Sequence, residues 1–271
     1  MSFYFIIVVK IYSIVISCNS IPINIFINFI FRIKNKSESD LLVRNVKNGE
    51  RIEMPYGSKK IESSIKQIPT YVEKMKENGV ELVDSIQALL SRVDAVMLMT
   101  FDGHPRVEQA MEVIKAGKPL FINKPFAASL KDVIKIMDTA KKYNCPIFSS
   151  SPTRYLKGAQ AARNGSIGDI MGADSYSGCP LEPTHPDFYW YGIHGIEILF
   201  TMMGKDCHTV QRRHTQNTDH VVGIWDNDRI GTYRGIRKGK VTHSGVAYGL
   251  NEILPAGSFN DVGHRPLVID M

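Results

Sequence analysis

The sequence predicts an α/β chain in two parts: a doubly wound parallel sheet, incomplete at its N-terminus, then an α+β domain with a mostly antiparallel open sheet. Three observations predict it. "DAVMLMT" (94–100), "PLFIN" (119–123) and "CPIFSSS" (145–151) are short apolar runs without alternation, as strands buried on both faces read. Helical segments separate them with short connections, which implies crossovers and a parallel sheet. After Arg154 the pattern changes to short strand-like segments, several joined by tight turns.

The elements follow in order. Residues 1–33 form the most apolar part of the chain, with "FYFIIVV" and "INIFINFIF" rich in β-formers. A membrane anchor over residues 3–31, a signal peptide, core strands and a stretch outside the native coding sequence are competing readings. Lys10, Asn19, Pro22, Asn24 and Asn28 interrupt the roughly 20 apolar residues a spanning helix needs. A signal peptide lacks its basic start and a clean cleavage site. "NKSESD" (35–40) reads as a linker and "GERIEMPY" (49–56) as a strand. From Ser58 to Asn78, apolar residues recur at helical spacing, with Pro69 as a break. "VELV" (80–83) reads as a strand and "DSIQALLSR" (84–92) as a helix capped by Asp84 or Ser85. "PRVEQAMEVIKAG" (105–117) is a helix stopped by Gly117. Ser129 and Asp132 open the next helix as a capping box, with Leu130, Val133, Ile134, Met137 and Ala140 on one face. In the second half the sequence predicts a helix over 154–164, a strand over 170–178 and a helix over 187–204. Strands near 206–215, 219–226, 229–237 and 242–249 follow, with Asn227-Asp228 at a hairpin turn. The expected domains are an apolar segment 1–40, a dinucleotide-binding domain 41–150 and a substrate and oligomerisation domain 151–271.

Composition excludes some classes. The chain has 271 residues and a net charge of +6, but its Lys and Arg are mostly interleaved with Glu and Asp, as in "YVEKMKENG". That is a solvated helix face rather than a nucleic-acid surface. Four scattered cysteines give neither a disulfide framework nor metal-ligand spacing, and the eight histidines carry no recognised metal motif, so no metal is expected. The chain is expected to be cytoplasmic, with the N-terminal anchor left open.

In a doubly wound sheet, ligands sit at the carboxyl ends of strands. Thr100, Asn123-Lys124 and Ser149–Ser151 all fall there. The block from "VDAVMLMTFDGHPRVEQ" through "VIKAGKPLFINKPFAASL" to "SSSPTRY" resembles the Gfo/Idh/MocA oxidoreductases. So does "GIHGIEIL" (192–199), with a histidine and, three residues on, an acid. The resemblance covers residues 50–250. It implies a Rossmann domain, an α/β domain whose open sheet makes a homo-oligomer, NAD or NADP as cofactor, and a sugar, cyclitol or similar polyol as substrate.

By that resemblance Lys124 and His194 are the catalytic candidates. Lys124 is placed to take the hydroxyl proton, with its pKa lowered beside a cationic nicotinamide. Glu197 lies on the same helical face as His194 and is expected to orient it. Thr100, Asp102, His104, Asn123 and Pro125 are the cofactor-side candidates, and Arg154, Tyr155, Tyr191 and Glu197 those for substrate. Trp190 suits either a sugar pocket or the core. Asp174 and His185 have no assigned place.

The chain departs from the family's pattern. Asn123 stands where the family has Glu before Lys-Pro, and Trp190 where an Asp is usual, leaving Asp187 as the nearest upstream acid. No G-x-G-x-x-G turn occurs in residues 1–48, and the first glycine is Gly49. The C-terminus also reads as short. The expected function is therefore an NAD(P)-dependent oxidoreductase with a weakened dinucleotide site. The alternatives are a non-catalytic homologue that has lost the cofactor and a membrane-tethered homologue.

Overall fold

The structure is a computed structural model. It describes the backbone of residues 6–9, then Ile61, Ser63 and residues 66–270. The linker at 35–40, the strand expected over 49–56 and most of the apolar N-terminal stretch lie outside the described residues. The chain divides into two compact units: residues 1–149 with 183–185, and residues 150–182 with 186–271.

In the first unit, β1 (Ile6–Val9), β2 (Ala95–Leu98), β3 (Leu120–Ile122) and β4 (Ile147–Phe148) form one sheet in that order. The pairs β2–β3 and β3–β4 are parallel, and β1 pairs antiparallel with β2. Residues 6–9 thus take the strand reading among those open for the N-terminus. Leu120, Phe121 and Ile122 of β3 are all buried, and in β2 Val96 and Leu98 are buried while Ala95 and Met97 are half-buried, so neither strand has a fully exposed face. Helix α1 (Ile68–Glu77) carries Pro69 in its first turn. Helical residues Ile61, Ser63 and Lys66 precede a turn at Gln67, so the expected break falls just before Pro69, in a first turn that needs no N–H from it. Helix α2 (Ile86–Leu90) is capped by Ser85, whose side chain accepts the Ala88 N–H. The expected strand at 80–83 does not form. Val80 N donates to Met75 O at 3.0 Å, closing the helix end instead of joining the sheet.

Helix α3 (Arg106–Lys115) links β2 to β3, and α4 (Leu130–Lys142) links β3 to β4. Ser129 caps α4 by accepting the Asp132 N–H. The apolar face expected on α4 splits in two. Ile136 and Ala140 are buried in the core with Val133 packed against it. Leu130, Ile134 and Met137 are exposed, because the helix turns its 133/136/140 stripe inward.

The second unit holds a six-stranded sheet in the order β10–β9–β5–β8–β7–β6. Its strands are β5 (Ile170–Gly178), β6 (Cys207–His214), β7 (Thr218–Trp225), β8 (Arg229–Ile236), β9 (Ser244–Gly249) and β10 (Ile253–Pro255). All pairings are antiparallel except β5 with β8. Asn227 and Asp228 make the β7–β8 turn with φ of 62° and 56°, a conformation that Asn and Asp tolerate. After a 3-10 turn (Pro152–Tyr155) comes α5 (Lys157–Arg163).

Helix α6 (Gly192–Met203) begins later than the expected residue 187. Ile198, Leu199, Met202 and Met203 bury against Trp225, Tyr233 and Ala247. Gly195 allows this approach: a Cβ there would stand 2.5 Å from the Tyr233 ring. Both tryptophans, Trp190 and Trp225, are fully buried. For Trp190 that is the core reading. Short α7 (Phe259–Val262) and α8 (Arg265–Asp270) follow the sheet. Among the described residues no helix is long and apolar enough to cross a membrane.

Candidate functional site

In the first unit, the ends of β2 and β3 lie side by side, and Asn123 N donates to Leu98 O at 3.0 Å. What holds the loops beyond them is Arg106, in the first turn of α3. It is fully buried. Its guanidinium donates to the carbonyls of Thr100, Asn123 and Pro125, and reaches that of Lys124 at 3.4 Å. One planar fork of donors therefore ties together the chain ends of two strands. Burial pushes Arg106 down to about 9, with nearby Asp102 acting the other way. The Lys124–Pro125 peptide bond is cis. Lys124 and Asn123 are half-buried, and Lys124 Nζ stands 5.9 Å from the Phe101 ring centroid.

The remaining first-unit candidates occupy the loop after β2. Thr100 is buried and donates its hydroxyl to Gln109 Oε1 at 2.6 Å. Asp102 Oδ1 accepts the backbone N–H of His104 at 2.9 Å and lies 2.7 Å from His104 Nδ1. His185, which had no assigned place, belongs to this unit. Its Nε2 accepts the Gly103 N–H at 3.1 Å and stands 3.5 Å from Asp102 Oδ1.

The second unit gathers another set. Arg154 Nη2 pairs with Glu197 Oε1 at 2.6 Å. Glu197 also accepts from Ser150 Oγ at 3.1 Å and from Ser151 N at 2.8 Å. Ser151 Oγ lies 2.6 Å from His194 Nδ1 and 2.8 Å from Thr153 Oγ1. Thr153 Oγ1 is 3.0 Å from the His194 carbonyl. Ser151 thus bridges the carboxylate and the imidazole that sequence spacing had set directly together. Burial pushes the Glu197 carboxyl above the usual range, and Arg154, Ser151 and Ser150 pull it back in part. Tyr191, at the N-cap of α6, meets the His194 ring edge-on at 5.6 Å, and His243 meets it at 5.5 Å. Tyr155 ends the 3-10 turn that carries Arg154. A cleft of about 470 Å³ has Arg154, Glu197, Arg163, Phe200 and Lys205 in its wall. Asp187 instead pairs with Arg212. Asp174 accepts from Tyr248 and Thr232.

Arg106, Gln109 and His185 were not placed at these clusters from the sequence, and Ser151 was placed at the strand rim without a role. For Ser151 there was a signal, since it stands at the end of an apolar strand. A buried arginine in a first helical turn reads as a surface residue and gave none.

The donors fit half of a dinucleotide. Asn123 and Lys124 present an amide and an amine at strand carboxyl ends, which suits a nicotinamide ribose and the reacting carbon. No described residue supplies a glycine-rich turn for the phosphates. The helices after β2 and β3 start instead at Pro105-Arg106 and Ser129-Leu130.

The Gfo/Idh/MocA family model, described as an oxidoreductase family with an NAD-binding Rossmann fold, matches residues 53–150. No curated protein sequence matches the chain. Solved structures are similar in fold. GenD2 from gentamicin A biosynthesis, in complex with NAD, aligns with a TM-score of 0.58 and 15% identity over 68% of this chain and 60% of its own. The myo-inositol 2-dehydrogenase of Lactobacillus plantarum gives 0.59 and 18%, over 69% and 65%. The UDP-N-acetylglucosamine 3-dehydrogenase GnnA of Acidithiobacillus ferrooxidans gives 0.60 and 16%, over 70% and 66%. The aligned region spans less than two thirds of each of these structures. At such identities they show the shared fold: a Rossmann sheet followed by a mostly antiparallel sheet.

Proposed function

We propose that this chain, whose residues 53–150 are a Gfo/Idh/MocA-type Rossmann domain, is a nicotinamide-dependent oxidoreductase acting on a hydroxyl carbon of a sugar, cyclitol or similar polyol. One observation carries the reading. The Asn123-Lys124-Pro125 turn lies in the family-matched segment, at the end of a parallel strand, with its carbonyls held by Arg106. The solved dehydrogenases of myo-inositol and of UDP-N-acetylglucosamine support the substrate class by their fold.

A bound nicotinamide would supply the hydride acceptor; Asn123, Pro125, Thr100, Asp102 and His104 form the cofactor side of the reading. Lys124 takes the hydroxyl proton at Nζ. For this it must be neutral when substrate binds. In the second unit, His194 carries a proton through Nε2, since its Nδ1 is engaged by Ser151. Arg154, Tyr155, Tyr191 and Glu197 form the substrate side. Exposed Met171, Val210, Ile230, Tyr248 and Ile253 on the six-stranded sheet support a homo-oligomer through that sheet.

Because no glycine-rich turn precedes Gly49, NAD(P) binding is expected to be weak. Fluorescence titration of NAD and NADP against the purified chain measures it, and a micromolar affinity would overturn that expectation. At saturating nucleotide, with a panel of polyols, Lys124→Ala should lower turnover by about 10²–10⁴-fold with a nearly unchanged melting temperature. No turnover by the parent chain at any nucleotide concentration would favour the non-catalytic homologue.

A further inference from the structure

We propose that the cleft along α6 in the second unit is a binding site for a small organic diphosphate, gripped by Arg163 and Lys205. The site goes beyond the oxidoreductase reading and stands whether or not the chain turns over a polyol.

Helical spacing builds the cleft. Glu197, Phe200, Thr201 and Gly204 line it, and residues three, four and seven apart share one face of a helix. From Glu197 to Gly204 the helix rises by about 10 Å. Arg154 pairs with Glu197, and Lys205 follows Gly204 at the far end. Arg163, the last residue of α5, stands in the same wall. The volume of about 470 Å³ falls within the roughly 300–1,000 Å³ of small-molecule sites.

Charge decides what the cleft takes. Its wall carries three cations and one acid. Glu197 is already engaged by Arg154, Ser150 and the Ser151 N–H, and burial pushes its carboxyl up toward the neutral form. The surplus is therefore the two charges of Arg163 and Lys205. Among the described residues neither side chain has an ion-pair partner. Cations near helix carboxyl ends often serve the last carbonyls, but these two are not needed there. At the end of α5, the carbonyls of Gln160, Ala161 and Ala162 accept backbone N–H groups from residues 164–166. At the end of α6, Met203 O accepts from Arg229 Nη1 at 3.2 Å and Gly204 O from Trp225 Nε1 at 2.9 Å.

Two separate cations in one open cleft suit a diphosphate, whose phosphates can each meet one of them, and the arginine fork matches phosphate oxygens. Phe200 is 39% exposed and offers a flat apolar surface to a ring on the organic part. A cleft walled by one sign of charge concentrates such an anion. Both cations are exposed, so affinity is expected to fall as salt is added.

The test is calorimetry on the full chain at low ionic strength, without nicotinamide nucleotide or polyol. Inorganic pyrophosphate and ADP are the probes. One ADP per chain is expected, with pyrophosphate bound more weakly and both weakened by salt. Arg163→Ala and Lys205→Ala should each weaken binding about tenfold, and the double variant should abolish it, with the melting temperature kept. Lys238→Ala and Lys240→Ala, exposed in the loop after β8, should leave binding unchanged, which separates a site from general positive charge. Asn123→Ala, in the first unit, should also leave it unchanged, which separates the cleft from the dinucleotide reading. ADP binding that is lost in Asn123→Ala and kept in the double variant would put the diphosphate in the first unit and overturn the proposal. So would the absence of binding heat with both probes, or an affinity that Arg163→Ala and Lys205→Ala do not change. Pyrophosphate bound as tightly as ADP would overturn the organic part of the assignment.

Discussion

The two units secure their polar clusters by different means. In the first, one buried side chain serves the backbone: Arg106 donates to the carbonyls of four residues at the ends of β2 and β3. In the second, side chains serve one another: Arg154, Glu197, Ser150, Ser151, Thr153 and His194 form a chain of pairs. A backbone clamp fixes where loops go and is insensitive to which residues the loops carry. A side-chain chain fixes orientation and protonation, and each link is replaceable. Losses in the first unit should therefore be abrupt and those in the second graded.

The sharpest way to break that contrast is Arg106→Leu. It leaves the carbonyls without their donor and Asp102 without its charge partner. A loss of about 3–5 kcal/mol is expected in denaturant unfolding, and a loss below about 1 kcal/mol would remove Arg106 from its central place. Ser151→Ala should be milder. It deletes the hydroxyl at His194 Nδ1 but keeps the N–H at Glu197, so about 1–2 kcal/mol is expected. The pH profile of any turnover should shift with it.

The smallest effect concerns Glu197. Its folded carboxyl holds a proton to higher pH than the unfolded one. In the window between the ordinary glutamate range and the raised value, the folded state binds more protons. The stability this group contributes is thus greatest below the ordinary range and falls as pH rises through the raised one. Glu197→Gln should flatten that part of the stability–pH curve. An unchanged slope would show that the Arg154 pair already cancels the burial.

Much of the fold was legible because it is written in local patterns. β2 and β3 read correctly since strands covered on both faces carry unbroken apolar runs. The β7–β8 hairpin read correctly since Asn227 and Asp228 suit left-handed backbone. "VELV" misled because three apolar residues in four look the same whether they join a sheet or close a helix. The face of α4 misled because Leu130, Ile134 and Met137 keep helical spacing while pointing outward. Asn123 and Lys124 could be placed from their strand. Their clamp could not: Arg106 reaches residues 17 to 19 positions away, and His185 meets Gly103 across 82. No spacing rule spans such distances.

The packing of the two tryptophans has an optical consequence. The chain has only Trp190 and Trp225, both belong to the second unit, and both are shut off from water. Native emission should be blue-shifted and resistant to quenching by acrylamide. It reports on the second unit alone, so the unfolding of the Rossmann-type unit is silent in tryptophan fluorescence. Any melting curve taken by that signal describes the six-stranded sheet and its helix α6. The clamp at Arg106 has to be followed by circular dichroism or hydrogen exchange instead.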